Sequence, residues 1–400
     1  MNKFSFLEKR KEIINWIENS DNLLKLKKRL KKEIPNNYRD GFYQTWVFKH
    51  LLTRLKIKDA APTIPSPLTV KVSPTMRCNL KCKGCFADNY PLENDLPLNT
   101  LERIISQAAA LGIPSLGILG GEPLLKPEVL EIFKKFRDIG FYLVTNGILL
   151  VDKIISAIQA LPHVITIVSI EGFEETNDSL RGKGVFKKIM SAMEKMREAK
   201  LIFGFSTTVH KENLEEVISE TYIDFMIANG CFFGGFLPYI PVGSSPRYNL
   251  VCNAEEVRKY YQQLDRIIKF KPIIVLKEGY SDGTFLNKGC GAGHTIHITS
   301  EGEAEPCNGI EFFTGNIHSS SLEEILMSDF YKDIRNLHPE KGRRCLVITD
   351  PEGILNVVKK HKAKPTHIQA LEHLEKYAQI WRKRNENSLE GHSDSSDLIF

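Results

Sequence analysis

Apolar residues follow two alternating spacings along most of this 400-residue chain. Short apolar runs are followed by longer segments in which apolar residues recur every three or four positions. The short runs predict strands, and the longer segments predict amphipathic helices. Six strands are predicted, over 68–72, 115–119, 141–145, 164–170, 202–209 and 232–237. Helices are predicted over 100–111, 127–139, 151–160, 185–199 and 214–228.

This regular alternation of strand and helix predicts an α/β fold. Strand–helix–strand units of this length favour a parallel sheet with right-handed crossovers. Such a sheet can close partly into a barrel or lie open between two helical layers, and the periodicity does not choose between them. Residues 1–62 are lysine-rich with helical spacing, and three prolines within 62–67 indicate a linker into the main domain.

Three cysteines lie close together just after the first predicted strand. Cys78, Cys82 and Cys85 have the spacing C-x3-C-x2-C. Three thiolates on one loop can hold three irons of a cubane iron–sulfur cluster, and the fourth iron then stays open to a further ligand. A zinc site or free thiols are the alternatives. A structural zinc site needs four ligands, and the chain has no second C-x2-C pair and no H-x3-H pair.

The composition excludes several classes of protein. Eight cysteines in 400 residues are too sparse for the disulfide framework of a small secreted domain. A net charge of +5 is too small to argue for nucleic-acid binding. We expect neither a signal peptide nor a transmembrane helix, because no suitable apolar stretch occurs. Free cysteines without an export signal predict a cytoplasmic protein.

The cysteine spacing, with Gly120-Gly121-Glu122-Pro123 after the second predicted strand, resembles the radical S-adenosylmethionine (radical SAM) enzymes. In that family SAM chelates the open iron through its amino and carboxylate groups. An electron from the [4Fe-4S] cluster then cleaves SAM, and the resulting 5′-deoxyadenosyl radical abstracts hydrogen from the substrate. The resemblance covers about residues 68–365 and implies a partial (β/α)6 barrel of the TIM type. It also implies that the three cysteines hold the SAM-binding cluster.

Polar residues at the ends of the predicted strands are the candidates for binding SAM, because reactive groups of a parallel barrel lie on these loops. In the family, the backbone and the glutamate of the segment Gly120-Gly121-Glu122 bind the SAM amino group. Asn146 and Ser169 follow the third and fourth strands and resemble elements near the SAM ribose and methionine, with turn or cap chemistry as the alternative. Arg181 suits the SAM carboxylate, with an ordinary surface arginine as the alternative.

A second group of cysteines follows the barrel sequence. Cys290 and Cys307 have the spacing C-x11-G-x4-C, and the residues over 295–303 predict a hairpin between them. This pattern resembles the twitch or SPASM extension of radical SAM enzymes, which holds an auxiliary [4Fe-4S] cluster. Only Cys345 remains downstream, which favours the shorter twitch form. Three buried free thiols are the alternative. The fourth ligand is open, with three untested candidates: Asp350, His361 and Cys252.

These features divide the chain into four predicted parts. They are a basic helical N-terminal extension (1–62), a radical SAM core (63–245), a small α+β auxiliary cluster domain (246–370), and a C-terminal helix with a polar tail (371–400).

Relatives with such an extension often modify peptides or assemble cofactors, which favours a peptide or small-metabolite substrate. A reducing partner such as flavodoxin or ferredoxin is also implied. The segment over 238–243 is a candidate lining of the substrate pocket. A lipid substrate at a membrane surface is one alternative, because Trp46 and Phe48 are interleaved with basic residues. A non-catalytic iron–sulfur scaffold or sensor is the other.

Overall fold

The structure is a computed structural model that describes residues 20–43, 69–279, 289–338 and 344–391. The predicted linker and the interleaved aromatic and basic residues over 46–56 lie outside these ranges. The N-terminal extension contributes α1 (Asp21–Glu33) and α2 (Asn36–Phe42). Leu26 and Leu30 of α1 are buried in the main hydrophobic core, so this helix packs on the barrel. None of the helices in these ranges has both the length and the apolar character needed to span a membrane.

Twelve strands lie in the described ranges, and the first six are close to their predicted positions. They are β1 (Thr69–Val72), β2 (Ser115–Ile118), β3 (Gly140–Thr145), β4 (Val164–Ser169), β5 (Phe203–Val209), β6 (Phe233–Pro238), β7 (Ile274–Lys277), β8 (Thr295–Ile298), β9 (Glu303–Glu305), β10 (Phe312–Phe313), β11 (Gly315–Asn316) and β12 (Lys364–Pro365). Within the described ranges, ten of them form one sheet in the order β11-β9-β8-β1-β2-β3-β4-β5-β6-β7. Neighbouring strands from β1 to β7 are parallel, as predicted.

The C-terminal part joins the barrel sheet directly. Strand β8 pairs in parallel with β1, with Thr69 opposite Thr295 and Val72 opposite Ile298. Strands β8 and β9 form the predicted antiparallel hairpin. The sequence pattern did not indicate that this hairpin would extend the sheet beside the first strand.

Helices cover the sheet between successive strands. They are α3 (Leu98–Ala110), α4 (Val129–Lys135), α5 (Asp152–Gln159), α6 (Glu174–Arg181), α7 (Val185–Glu198), α8 (Leu214–Val217) and α9 (Glu220–Ala228). The single helix predicted over 214–228 is two helices, because the Ser219 side chain accepts a hydrogen bond from the Tyr222 N–H and caps α9. Further along lie α10 (Ala254–Ile268), α11 (Leu322–Met327), α12 (Asp329–Asn336), α13 (Leu346–Thr349), α14 (Pro351–His361) and α15 (Ala370–Gly391).

The two faces of the sheet differ in burial. Val70 and Val72 of β1 are fully buried, whereas Lys71 between them is only partly buried. The same alternation occurs in β5, where Ser206 and Thr208 are the partly buried positions. One face therefore packs on the helices, and the other lines a more open interior. The sequence prediction of a partial α/β barrel is confirmed.

Candidate functional site

The segment Gly120-Gly121-Glu122 runs directly beside the start of the cysteine loop. Gly121 N–H donates to Thr75 O at 3.0 Å, and Glu122 N–H donates to Arg77 O at 2.9 Å. A Cβ on Gly120 would lie 2.2 Å from Thr75 O, and one on Gly121 would lie 2.3 Å from Arg77 O. Gly120 also has φ +126°, a conformation that favours glycine. The two glycines therefore let the two backbones approach closely enough to bond.

The Glu122 carboxylate joins the ends of β2 and β3. It is fully buried and accepts hydrogen bonds from Leu124 N–H at 3.0 Å, Thr145 Oγ1 at 2.8 Å and Asn146 N–H at 2.8 Å. Burial raises the pKa of Glu122, while these hydrogen bonds act in the opposite direction. The carboxylate thus already has three protein donors, and its contact with the SAM amino group stays a prediction.

Asn146 lies against the cysteine loop. Its Nδ2 donates to Asn79 Oδ1 at 2.7 Å and lies 3.7 Å from Cys78 Sγ. Burial raises the pKa of the Cys78 and Cys82 thiols, and it raises that of Cys85 to about 12. The charge of the Cys78 thiolate also raises the pKa of Cys82, and those of Cys78 and Cys82 raise the pKa of Cys85. The structure therefore brings the three thiols and Asn146 together.

Arg181 pairs with Glu171 rather than facing solvent. Its Nη2 donates to Glu171 Oε1 at 2.5 Å, and the Arg181 side chain is only 13% exposed. Burial lowers the pKa of Arg181, but Glu171 and the nearby Cys82 thiol outweigh this effect and raise the pKa overall. Within the described residues, the buried Nε of Arg181 has no hydrogen-bond partner. This arginine thus has a free donor beside the cysteine loop.

Glu171 was missed as a site residue in the sequence, although it directly follows the fourth predicted strand. Its second oxygen accepts from Thr208 N–H at 2.8 Å, so it fixes Arg181 to the end of β5. Ser169 is the last residue of β4, and its Oγ accepts from Ser206 Oγ at 3.5 Å. The cysteine loop is also tied to α6, because Lys83 N–H donates to Leu180 O at 2.9 Å.

These residues fit a cluster that carries a charged organic ligand. A cluster needs soft thiols as ligands. A charged organic ligand beside it needs a backbone that can approach closely, as at a glycine turn, and a charged donor such as a buried arginine. Among the described residues, no group of three or more His, Cys, Asp or Glu side chains is arranged as a ready-made metal site. The binding roles of Gly120, Gly121, Glu122, Asn146, Ser169 and Arg181 therefore stay predictions.

The second cysteine set also comes together in the fold. Hydrogen bonding between the Cys345 and Cys290 thiols raises the pKa of Cys345 well above its usual value. Burial raises the pKa of Cys307 to about 12, and the neighbouring Cys290 thiol acts in the same direction. Three cysteines distant in sequence thus share one buried region, where thiols are suited to a second cluster.

Two of the three candidates for a fourth ligand, Asp350 and His361, have other partners. Asp350 accepts from Gly353 N–H at 2.8 Å and caps α14. His361 Nε2 lies 2.7 Å from Asp333 Oδ2. Burial raises the pKa of Cys252 to about 12. Their roles as ligands stay predictions.

Part of the segment over 238–243 lines a cleft close to the second cysteine set. Pro241 and Val242 lie in its wall with Ile310, Val347 and Tyr377. Ile310 and Val347 follow Cys307 and Cys345 by a few residues. The assignment of this segment to a substrate pocket stays a prediction.

A buried polar chain connects the two cysteine regions. Tyr90 OH donates to Glu305 Oε1 at 2.8 Å, and Glu305 Oε2 lies 2.6 Å from His297 Nδ1. His297 Nε2 in turn lies 2.7 Å from Ser73 Oγ. Tyr90 and Ser73 belong to the first loop, whereas the other two residues lie on β9 and β8. Sequence reasoning missed this chain, because buried polar residues carry no local signal.

Family models match both cysteine regions. Residues 72–220 match the radical SAM superfamily, and residues 290–346 match SPASM, an iron–sulfur cluster-binding domain. The resemblance identified in the sequence is therefore confirmed. The matched regions contain the two cysteine sets.

Two relatives are similar over most of the described core. One is the AdoMet-dependent heme synthase of Methanosarcina barkeri, 28% identical over 299 residues, which are 67% of this chain and 85% of that protein. Another is the sporulation killing factor maturation protein SkfB of Bacillus subtilis, which is 24% identical over 268 residues. The match to SkfB covers 65% of this chain and 64% of SkfB, just under two thirds of its length.

Among solved structures, Streptococcus suis SuiB bound to the precursor peptide SuiA is similar in fold, with a TM-score of 0.60 and 20% sequence identity. This similarity covers 80% of this chain and 79% of SuiB. It supports the partial barrel with a C-terminal extension.

Proposed function

We propose that this chain, which belongs to the radical SAM superfamily and carries a SPASM domain, abstracts hydrogen from a peptide or a small metabolite. It is an enzyme whose cofactors are a [4Fe-4S] cluster, SAM and an auxiliary iron–sulfur cluster. The observation that carries the proposal is the cysteine loop, held by the glycine turn beside the buried Arg181. The four predicted parts, with boundaries near residues 62, 245 and 370, belong to this proposal.

Each group of residues has one task in this proposal. Cys78, Cys82 and Cys85 hold the first cluster, and the segment Gly120-Gly121-Glu122 binds and orients the SAM amino group beside them. Asn146, Ser169 and Arg181 orient SAM at the carboxyl ends of the strands. When bound, the cluster and SAM supply the electron and the 5′-deoxyadenosyl radical. The protein contributes binding, orientation and exclusion of water.

The three similar proteins point to two kinds of substrate. SkfB is a maturation protein for a killing factor, and SuiB has been crystallised with a precursor peptide, which supports a peptide substrate. The heme synthase supports a small metabolite as the second candidate, since the match covers 85% of that protein. A reducing cytoplasm and a flavodoxin or ferredoxin as electron donor complete the proposal. The lipid alternative rests on residues outside the described ranges.

Reductive cleavage of SAM tests the proposal without knowledge of the substrate. The full-length protein is reconstituted anaerobically with iron and sulfide and then incubated with dithionite and SAM. We expect release of 5′-deoxyadenosine, measured by liquid chromatography. Cluster-loaded protein that never cleaves SAM, even with cell extract as a source of substrate, would support the scaffold alternative.

Iron counting tests the second cysteine set. Two [4Fe-4S] clusters predict about eight irons per chain, and the Cys290→Ala, Cys345→Ala double variant should retain about four. Cys231→Ala is the matched control. Cys231 is fully buried in the core, so we expect its substitution to leave the iron content unchanged. About four irons in the wild-type protein would contradict the assignment of the second set.

A further inference from the structure

A row of residues crosses the interior face of the sheet at one level. Lys71 of β1 lies opposite Gly117 of β2, and Gly117 lies opposite Tyr142 of β3. Paired residues of neighbouring strands point to the same face of a sheet. A Cβ on Gly117 would lie 2.3 Å from the Tyr142 ring, so the ring lies across β2 where the glycine has no side chain. The Tyr142 ring therefore extends towards Lys71.

Lys71 is a buried cation with two long contacts. Its side chain is 14% exposed, and its Nζ lies 3.7 Å from Glu278 Oε2 and 3.4 Å from Asn308 Oδ1. Burial alone would lower the pKa of Lys71, but the Glu278 carboxylate outweighs this effect and raises it. Lys71 is thus positively charged at neutral pH, although few atoms of the described protein compensate its charge directly.

This charge lies beside the second cysteine set. Asn308, which contacts the ammonium group, directly follows Cys307. Glu278 directly precedes Gly279, where a Cβ would lie 3.2 Å from the Cβ of Cys345. Lys71 and Glu278 therefore form an ion pair next to two of the three cysteines.

Reduction adds negative charge to an iron–sulfur cluster, so fixed charges nearby change its reduction potential. A nearby cation stabilises the reduced state, and a nearby anion destabilises it. Both effects are stronger where solvent screens the charges less, and the Lys71 side chain is only 14% exposed.

We propose that Lys71 raises the reduction potential of the auxiliary cluster and that Glu278 opposes it. The inference rests on the proposed function, because it takes Cys290, Cys307 and Cys345 as the cluster ligands. Lys71 is a positioning residue in this scheme, since it acts through the cluster rather than on the substrate. The lysine makes the auxiliary cluster a better electron acceptor than the same cysteines alone.

The test measures the potential of the auxiliary cluster by redox titration followed by electron paramagnetic resonance. The full chain carries Cys78→Ala, Cys82→Ala and Cys85→Ala, which leave only the second set to bind a cluster. We expect Lys71→Met to shift the midpoint to a more negative potential. Glu278→Gln should shift it to a more positive one, and Lys71→Arg should stay close to the parent.

Tyr142→Phe is the matched control, because it changes the same row without changing a formal charge. We expect it to leave the midpoint unchanged. An unchanged potential in Lys71→Met, or shifts of the same sign in Lys71→Met and Glu278→Gln, would overturn the inference. Glu278 is half-exposed, so its variant tests the inference even where Lys71→Met fails to fold. A parent protein without any iron would reject the ligand assignment itself, and the inference with it.

Discussion

Cys82→Ala is expected to reduce the formation of 5′-deoxyadenosine from SAM to background. Cys82 is the middle member of the first set, and the two remaining thiols cannot hold three irons of a cubane cluster. The variant should also lose about four irons per chain while keeping the auxiliary cluster. Liquid chromatography of the reaction and iron analysis of the reconstituted protein measure the two effects.

Cys231→Ala serves as the control for this experiment as well. It removes one sulfur atom from the main hydrophobic core, and Cys231 belongs to neither of the two cysteine sets. We expect it to cost about 1–2 kcal/mol in the free energy of unfolding while SAM cleavage continues. Persistent cleavage in Cys82→Ala at the wild-type rate would refute the assignment of the first set.

Gly121→Ala is expected to disrupt SAM cleavage almost as severely, although it changes no polar group. The added methyl group would lie 2.3 Å from the carbonyl oxygens of Met76 and Arg77, so the glycine turn and the cysteine loop must separate. That separation breaks the backbone bonds between the two segments and removes Glu122 from its three donors. We expect a loss of about 1–3 kcal/mol in the free energy of unfolding. Thermal unfolding and the 5′-deoxyadenosine assay measure both effects.

Gly235→Ala is the matched control for the loss of a glycine. A Cβ at Gly235 would have its nearest neighbours at 3.8 Å and 3.9 Å, which are ordinary contact distances. It should therefore leave the stability and the iron content unchanged. Equal stability of the Gly121→Ala and wild-type proteins would show that the two segments can separate without cost.

Most of the barrel could be predicted from the sequence, because each strand and helix is indicated by a pattern within a short segment. Strands such as β4 and β5 are short apolar runs between helices with a clear apolar stripe, and their ends differ from the prediction by one residue. The cysteine spacing and the glycine turn are likewise visible within a few residues. For the same reason the SAM site could be proposed before its geometry was known.

Other features were missed because no short segment contains them. Helix α6 buries only Asn177, so it has no apolar stripe to indicate a helix. Glu305 and His297 are charged or polar in sequence, and only the fold shows that they are fully buried against each other. The pairing of β8 with β1 joins residues more than two hundred positions apart, and neither strand indicates its partner.

That pairing has a consequence for the order of events during synthesis. Until β8 has left the ribosome, β1 has an unpaired edge, and Ser73 after it lacks its bonds to Ile298 and His297. Contacts between such distant segments form late, because the intervening chain must first be ordered. We therefore expect the cysteine loop after β1 to bind its cluster only once β8 has been synthesised.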